Sequence, residues 1–189
     1  MAKKNPYTAT IKYFKRFKDR WYIEFRDNKA YLCDGHMIAS MPICLYQEYI
    51  IPSIAGIPSY IEDGCYTIQD SKAEKGNVKI ADMYNNGYKE ASCPTCPSKI
   101  LIDTDRWMSR AFMWEIDGLT TGALINDEFY KISLEFSNGY YYASKKNAPI
   151  YTSENVYDTG YMVLPIHYDS NSPFWDILEN INKANKQAA

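Results

Sequence analysis

The sequence has no long apolar run and no excess of charge of either sign. Its 189 residues include 21 basic and 23 acidic side chains, which leave a formal net charge of −2 at pH 7. A chain with so little net charge has no overall attraction for nucleic acid or for a membrane surface, so such a contact needs a local patch. No run reaches the ~18 apolar residues that a helix needs to cross a bilayer. The N-terminus also lacks the apolar core of a secretory signal, and we therefore expect a cytoplasmic protein with no membrane partner.

Histidine is scarce, and the motifs of several enzyme classes are missing. The chain has two histidines, His36 and His167, and neither lies near a serine or cysteine elbow of the kind that nucleophilic catalysis uses. There is no glycine-rich phosphate loop and no H-E-x-x-H motif. The carboxylate pairs at residues 62–63 and 127–128 are adjacent, and adjacent side chains point to opposite faces of an extended chain. The sequence therefore predicts a protein that is not an enzyme.

The five cysteines are an odd number at irregular spacing, which is not typical of a secreted disulfide framework, so we expect reduced thiols. Cys93 and Cys96 have the two-residue separation that lets two thiolates bind one tetrahedral zinc ion. This is half of a site, which Cys65 with His36 or His167 would have to complete. Free thiols in a loop and a dithiol redox pair are the alternatives. No cofactor is expected apart from this candidate zinc ion.

Tyrosine is abundant, with 18 of 189 residues, and 46% of the chain is hydrophobic. Tyrosine rings suit half-buried pleated surfaces, where one end of the side chain packs and the hydroxyl stays in contact with water. We therefore predict a strand-rich α+β fold. The same rings also suit a binding surface, because they give a large contact area at a small entropic cost.

Two segments look like copies of one β-hairpin. Residues 23–39 begin IEFRDNKAYLCDG and end Met-Ile-Ala, and residues 134–150, which begin 111 positions later, begin LEFSNGYYYASKK and end Ala-Pro-Ile. Such a repeat predicts a repeated architecture. We predict two lobes at residues 1–90 and 99–168, each with a short helix on antiparallel strands, and the polar segment 90–98 as their boundary. A C-terminal amphipathic helix is predicted at residues 172–183.

Two predicted helices carry basic residues. In residues 8–21 apolar side chains recur at near-helical spacing. The basic side chains of this segment occupy the other positions, at Lys12, Lys15, Arg16, Lys18 and Arg20. A second helix is predicted from Asp103 or Thr104 to about Trp114. Arg106 and Arg110, four positions apart, would share one face of that helix.

The pattern also predicts elements around these helices. Strands are predicted at residues 78–83, 129–136 and 160–166, because apolar and polar side chains alternate or apolar residues dominate there. A turn is predicted at residues 85–87, from its Asn-Asn-Gly sequence, and a loop at residues 117–127.

Two segments resemble the DNA sliding clamp superfamily, in its bacterial and phage polymerase-clamp form. Residues 32–39, LCDGHMIA, are similar to the strand-and-turn segment of that family around Asp-Gly-His. Residues 161–166, YMVLPI, are similar to its closing strand. The hairpin repeat is also what a clamp built of repeated lobes would show.

The resemblance implies a protein that encircles duplex DNA without reading its bases and contacts phosphates through basic helices. The two predicted basic helix faces would supply these contacts, or else merely solvate the outer surface. In clamps, partner proteins insert short peptides into an apolar groove beside the closing strand. The corresponding wall would include Met162, Leu164 and Pro165. The C-terminal helix would cover that groove, extend it, or simply cap the core.

The function that the resemblance implies is a non-enzymatic, sliding-clamp-like accessory protein in DNA replication. It would be phage-encoded and would tether protein partners to DNA in the host cytoplasm. One alternative is a phage or mobile-element protein of host takeover that binds and inhibits a host nucleic-acid enzyme, such as a CRISPR nuclease. Another is a structural virion module, which would form homo-oligomers without DNA.

Overall fold

The fold is seen in a computed structural model, which describes residues 5–60, 62–104, 107–143, 149–152, 157–166 and 172–188. The helices are α1 Thr8–Arg16, α2 Ile43–Leu45 continued by a π-helix Tyr46–Ile50, α3 Ile80–Glu90, α4 Asp127–Ser133 and α5 Pro173–Ala188. The strands are β1 Trp21–Arg26, β2 Lys29–Cys33, β3 Met37–Pro42, β4 Gly64–Gln69, β5 Lys72–Gly76, β6 Cys93–Thr104, β7 Trp107–Ile116, β8 Leu119–Asn126, β9 Tyr141–Ala143, β10 Ile150–Thr152 and β11 Gly160–Val163.

The described strands form one sheet in the order β5-β4-β1-β2-β3-β11-β10-β9-β6-β7-β8. Every neighbouring pair in this order runs antiparallel. The strand-rich α+β class predicted from the sequence is therefore confirmed. β5 and β8 lie at the two edges of the sheet.

The centre of the sheet contains two units of the same topology. The first unit is α1 followed by β1, β2 and β3, and the second unit is α4 followed by β9, β10 and β11. In each unit three consecutive strands pair as an antiparallel meander. β3 and β11, the last strand of each unit, pair with each other, so the two units meet in the middle of the sheet.

The first predicted hairpin is confirmed, whereas the second is wrong in position. β1 and β2 pair around the turn at residues 27–28. The strand predicted at residues 129–136 is instead α4 and the turn that follows it. Phe129, Ile132 and Phe136 recur at helical spacing, and all three are buried in the main core. β9 and β10 are the strands that follow. The similar residues at 23 onward and 134 onward therefore do not occupy equivalent positions in the two units.

The second predicted basic helix is also wrong. Residues 107–116 form β7, which pairs with both β6 and β8. Because side chains alternate along a strand, Phe112 and Trp114 lie in the main core, whereas Ala111 lies on the opposite face of the sheet. The loop predicted at residues 117–127 is largely β8, which begins after a two-residue turn.

The strand predicted at residues 78–83 and the turn predicted at residues 85–87 are replaced by α3. Gly87 lies inside this helix. A Cβ atom at this position would sit 1.8 Å from the hydroxyl oxygen of Tyr151. The glycine therefore allows α3 to approach β10 closely and does not mark a turn.

Helices cover both faces of the sheet. α1, the π-helix and α4 contribute side chains to the main core on one face. On the other face α3 packs through Ile80 and Tyr84, and α5 packs on β8 through Phe174 and Leu178. The helix predicted at residues 172–183 is thus confirmed as α5. No helix of the described chain has the length and apolar character needed to cross a membrane.

The division into lobes at residues 1–90 and 99–168 stays a prediction. The segment predicted as their boundary contains the start of β6. There Thr95 lies opposite Tyr141 of β9, and Cys96 lies opposite Met113 of β7. β6 is therefore the strand through which the second unit continues into the β7–β8 hairpin.

Candidate nucleic-acid interface

The first predicted basic helix is α1, which ends at Arg16 and not near residue 21, because Phe17 is already extended. Its buried side fixes its position on the sheet. Tyr7, Ile11 and Phe14 are buried in the main core. The ring of Phe14 packs on that of Trp21 at the start of β1, with 4.4 Å between the ring centroids. Since residues three and four positions apart share one side of a helix, the remaining positions of α1 face outward.

The N-terminus of α1 is held by a carboxylate of the second unit. The Tyr7 side chain at the N-cap makes no hydrogen bond to the first turn. Instead, Glu135 accepts hydrogen bonds from the N–H groups of Ala9 at 2.6 Å and Thr10 at 2.9 Å, and from the Thr10 hydroxyl at 2.7 Å. A carboxylate in this place satisfies free N–H groups and complements the positive end of the helix dipole.

The outward side of α1 and its connection to β1 carry a row of basic side chains, which we call the basic ridge. It consists of Lys12, Lys15, Arg16, Lys18 and Arg20, and all five are exposed. Asp19 is the single acidic residue between the first and last of them. Because the whole chain has a formal charge of −2, the ridge is a local concentration of positive charge on an otherwise acidic molecule.

Most of the ridge is available for a ligand. Arg16 forms an ion pair with Glu128 of α4, and both side chains are about half exposed. Arg20 makes only long contacts, of 3.4 and 3.5 Å, with Oε1 of Gln69. In the part of the chain that the structure describes, no carboxylate lies within ion-pair distance of the ridge lysines at positions 12, 15 and 18.

The neighbouring surface of α4 has mixed charge. α1 and α4 contact each other, and α4 with its following turn presents Glu128, Lys131 and Glu135. Lys131 is paired with Asp127 at 2.8 Å. A phosphate backbone laid along α1 would therefore be attracted by the ridge and would meet carboxylates on the α4 side. Of these two helices, α1 is the one whose outward side is basic.

Arg110 is not part of the ridge, because it lies on β7 and is already bound. Its Nη2 and Nε atoms lie 2.7 and 2.8 Å from Oδ1 of Asp127. Its Nη1 donates to the carbonyl oxygen of Ser98 at 2.9 Å, and its guanidinium carbon lies 4.4 Å from the ring centroid of Tyr130. These contacts anchor α4 to β7. Arg106, its predicted partner on a helical face, lies outside the described residues.

The Arg110 contact also keeps Asp127 ionised. Burial raises the pKa of this carboxyl, but hydrogen bonds from Lys131 and Arg110 outweigh burial and hold the pKa below its ordinary value of 3.8. Asp127 begins α4, directly after Asn126, whose side-chain oxygen accepts a hydrogen bond from the N–H of Glu128 at 2.9 Å. An asparagine cap followed by two acidic residues is a sequence signal for a helix start, and it could have located α4.

The predicted partner-binding wall is only partly accessible. Met162 is buried in the core cluster beneath α3, so a partner could not reach it. Leu164 and Pro165 follow β11 and are partly exposed, and the N–H of Leu164 donates to the carbonyl oxygen of His36 at 2.8 Å. α5 packs on β8, and its apolar side includes the buried Phe174. That packing corresponds to a cap on the core, one of the three roles considered for the C-terminal helix.

Cys93 and Cys96 both lie in β6, where their thiols do not converge. An extended strand places residues three positions apart on opposite faces and about 10 Å apart along the chain. Cys93 packs against the main core, whereas Cys96 is exposed. Cys65 is buried, and burial raises the pKa of its thiol, while His167 lies outside the described residues. Within the described chain, no three His, Cys, Asp or Glu side chains are grouped as metal ligands.

Sequence reasoning misses a cleft beside the basic ridge. The cleft has a volume of about 580 Å³ and lies between the end of α1, residues 53–55 and the β4–β5 turn. Phe17 and Lys18 line its α1 side. The wall formed by residues 53–55 approaches the β4–β5 turn at the adjacent Gly56. There φ is 77°, and a Cβ atom would sit 1.9 Å from the carbonyl oxygen of Ser71. The lining includes Lys15 and Lys18 but also Asp19 and Asp70, so its charged side chains balance.

Comparisons with known proteins find little similarity. No protein-family model matches the sequence, and no curated protein matches it. One solved structure that is similar is described as "Putative DNA polymerase III beta subunit" and comes from Eubacterium rectale ATCC 33656. The two chains are 13% identical and superpose with a TM-score of 0.36 over 87% of this chain. This chain spans 65% of the length of that protein.

Proposed function

We propose that the protein is a non-enzymatic, DNA-associated protein that holds duplex DNA through the basic ridge without reading its sequence. The observation that carries this proposal is the ridge itself. It places five exposed cations between Lys12 and Arg20. Phosphate is the ligand that suits them, since lysine and arginine bind phosphate oxygens without contacting base edges.

Such binding depends strongly on salt. Each phosphate contact releases condensed counterions from DNA, so the affinity falls with rising salt in proportion to the number of contacts. Three or four contacts, which the ridge could supply, predict a loss of about 40- to 150-fold in affinity between 50 and 200 mM salt.

We further propose the accessory role that the clamp resemblance implies, in which a phage-encoded protein tethers replication proteins to DNA in the host cytoplasm. One feature supports this role. The two segments that carry the resemblance, residues 32–39 and 161–166, are neighbours in the sheet, with Ala39 opposite Tyr161. They form the junction between the first and second units. In this proposal the partly exposed Leu164 and Pro165 beside the junction contact the tethered protein.

The test is binding of the full-length protein to two labelled duplexes of unrelated sequence at 50 and 200 mM salt. The variant Lys12→Glu/Lys15→Glu/Lys18→Glu should bind at least about 10-fold more weakly at 50 mM salt and should show a flatter salt dependence. Equal affinity for the two duplexes is expected, because phosphate contacts carry no sequence information.

A matched control makes the same change of charge away from the ridge. It replaces three exposed lysines of α3, β6 and α5, in the variant Lys89→Glu/Lys99→Glu/Lys186→Glu. This control should keep most of the affinity and the full salt dependence of the wild type. The proposal would be wrong if the wild type bound neither duplex, or if both variants lost the same affinity.

A second candidate function, inhibition of a host nucleic-acid enzyme by direct binding, is favoured by one observation. The free end of the β6–β7 hairpin exposes three large apolar side chains, Leu101, Trp107 and Met108, each by nearly half of its surface. Tryptophan and methionine are enriched where proteins contact proteins. Tight one-to-one binding to such an enzyme, with no salt-dependent binding of DNA, would favour this candidate over the first.

A further inference from the structure

The sequence contains two Asn-Gly pairs, and both asparagines are exposed. Asn86 and Gly87 lie in α3, whereas Asn138 and Gly139 lie in the turn that connects α4 to β9. In such a pair the backbone nitrogen of the glycine can attack the amide carbon of the asparagine side chain, because glycine has no Cβ atom to hinder the approach. The attack also needs a backbone that lets the two atoms meet. The two pairs therefore combine the same chemistry with different backbones.

The structure protects the pair in α3. Inside an α-helix the N–H of a residue is bonded to the carbonyl oxygen four positions earlier, and helical φ and ψ hold that nitrogen away from the preceding side chain. The surroundings of Gly87 are also crowded, since a Cβ atom there would sit 1.8 Å from the hydroxyl oxygen of Tyr151. Attack on Asn86 therefore requires α3 to open locally, and the rate falls by the small fraction of time that the helix is open.

The turn after α4 gives no such protection. Residues 137–140 belong to neither a helix nor a strand. The N–H of Gly139 donates to the hydroxyl oxygen of Ser137 at 2.8 Å, so a side chain takes the place of the helical carbonyl acceptor. Gly139 has a φ of 97°, and a Cβ atom there would have no atom within 4 Å apart from those of its chain neighbours. The backbone around Asn138 therefore has room to change its conformation.

We propose that Asn138 is a site of spontaneous deamidation and that Asn86 is protected from the same reaction. The nitrogen of Gly139 loses its proton and bonds to Cγ of Asn138, and the bond from Cγ to Nδ2 breaks to release ammonia. Water then opens the resulting five-membered ring at one of its two carbonyl carbons. Attack at Cγ gives aspartate, whereas attack at the backbone carbonyl carbon gives isoaspartate, in which the main chain runs through the side chain. Either product adds one negative charge at neutral pH, and the reaction consumes only water.

The isoaspartate product should disturb the second unit. It adds a methylene group to residues 137–140, a connection whose two ends are held in the main core. On the α4 side Phe136 stacks on Tyr161, with 5.7 Å between the ring centroids. On the β9 side Tyr141 lies opposite Thr95 of β6, and its hydroxyl oxygen lies 3.0 Å from Oγ of Ser133. The aspartate product leaves the main chain unchanged and should not have this effect.

The experiment follows both pairs in the full-length wild type, incubated at neutral pH either folded or unfolded in guanidinium chloride. Mass spectrometry of proteolytic peptides measures deamidation, which raises the mass of a peptide by about 1 Da. In the folded protein Asn138 should deamidate at least about 10-fold faster than Asn86, because α3 must first open. In the unfolded chain the two rates should agree within about 3-fold, since no helix protects either pair. An unmodified Asn138, equal rates in the folded protein, or the same difference in the unfolded chain would overturn the proposal.

Matched variants assign the products to one position. Asn138→Ser should remove most of the acidic species that ion exchange separates from the aged protein, whereas Asn86→Ser should leave the amount of that species unchanged. Persistence of the wild-type amount of acidic species in Asn138→Ser would contradict the assignment.

The variant Asn138→Asp tests how the two products affect stability, because it has the charge of the aged protein without the added methylene group. The isoaspartate form, isolated by chromatography, should unfold at a lower denaturant concentration than Asn138→Asp, which should unfold close to the wild type. If the isoaspartate form and Asn138→Asp unfolded at the same denaturant concentration, the added methylene group would have no structural effect, and that part of the proposal would be wrong.

Discussion

The first and second units share one order of helix and strands, yet they differ in size and in surface charge. β1, β2 and β3 have six, five and six residues, whereas β9, β10 and β11 have three, three and four. The outward side of α1 is basic, whereas α4 begins with Asp127 and Glu128. The two units therefore share a topology but differ in strand length and in the charge of their helices. In our proposal the first unit contacts DNA, and the second unit supports the helix that does so.

That support is visible in contacts that cross between the units. Glu135 of the second unit binds the first turn of α1, and Glu128 pairs with Arg16 in its last turn. Acidic side chains of α4 and of the turn after it therefore contact both ends of the basic helix. The acidic character of α4 and its turn has a structural use, although it weakens the attraction of that surface for phosphate.

The largest expected effect separates two positions that the sequence repeat would treat as equivalent, Ile23 and Leu134. Ile23 is 0% exposed in β1, whereas Leu134 is 53% exposed after α4. Ile23→Ala should lower the free energy of unfolding by about 2–5 kcal/mol, because it removes buried surface and leaves a cavity. Leu134→Ala should change it by less than about 0.5 kcal/mol. Urea unfolding measures both, and equal costs would contradict the topological repeat.

A smaller effect is expected from breaking the anchor of the second unit. Asp127→Ala should lower the free energy of unfolding by about 2–3 kcal/mol, because Arg110 would stay largely buried without its carboxylate. The double variant Asp127→Leu/Arg110→Leu should recover part of this loss, since it leaves no unpaired charge. Denaturant titrations of the two variants would show whether the loss of unfolding free energy comes from the unpaired charge of Arg110 or from the packing space that the ion pair fills.

The same carboxylate should make stability depend on pH. The pKa of Asp127 is lower in the folded protein than its ordinary value. Its contribution is therefore fully present above the ordinary pKa of 3.8 that the carboxyl has in the unfolded chain, and it is lost as the pH falls through the lower pKa of the folded state. Unfolding free energies measured from neutral pH down to about pH 2 should fall more steeply for the wild type than for Asp127→Asn. Parallel curves would rule out this carboxylate as a source of acid sensitivity.

The next effect concerns the cap that the second unit supplies to α1. Glu135→Ala should cost about 1–2 kcal/mol of unfolding free energy, since it leaves the N–H groups of Ala9 and Thr10 without their acceptor. Glu135→Gln, which keeps an acceptor oxygen but not the charge, should cost less. Thermal or urea unfolding is the measurement. If Glu135→Gln were as costly as Glu135→Ala, the charge would account for the whole effect.

The smallest effect is expected for the exposed pair of Arg16 and Glu128. A double-mutant cycle with Arg16→Ala and Glu128→Ala should give a coupling energy below about 1 kcal/mol, because both side chains are about half exposed to water. The coupling should decrease further in high salt. A coupling energy of several kcal/mol would mean that this pair, and not Glu135, is the main link between the units.

The sequence allowed the fold class, the first hairpin, α1 and α5 to be predicted, because each has one clear period of apolar residues and a recognisable start or turn. α4 was missed although Asn126 and the two acidic residues after it mark a helix start. The apolar residues that follow it, Phe129, Ile132 and Phe136, fit a helix, but the aromatic letters and the apparent repeat favoured a strand. For β7, Trp107 and Ala111 fit one side of a helix as well as one face of a strand. Pairing with β6 and β8 makes this segment a strand, and a single sequence does not reveal that pairing.

In the candidate interface, features within one short segment were visible in the sequence, whereas contacts between distant segments were not. The exposed basic residues of α1 were visible in the sequence because they alternate with its buried residues, whereas Lys18 and Arg20 lie beyond the end of the helix at Arg16. The role of Glu135 could not be foreseen, since its hydrogen bonds join residues 125 and 126 positions apart. The fate of Arg110 likewise depends on Asp127 and Ser98, which come from other elements of the fold.

The pairing of β3 with β11 has a consequence for the way the chain folds during synthesis. Met37 and Ser40, near the two ends of the pairing on β3, find their partners Val163 and Gly160 roughly 120 residues later. Until that part of the chain leaves the ribosome, β3 is an unpaired edge of almost wholly apolar and small residues. Contacts between such distant residues slow folding, and an open edge of this kind invites aggregation. A strand in the interior of the finished sheet is thus an exposed edge in the nascent chain.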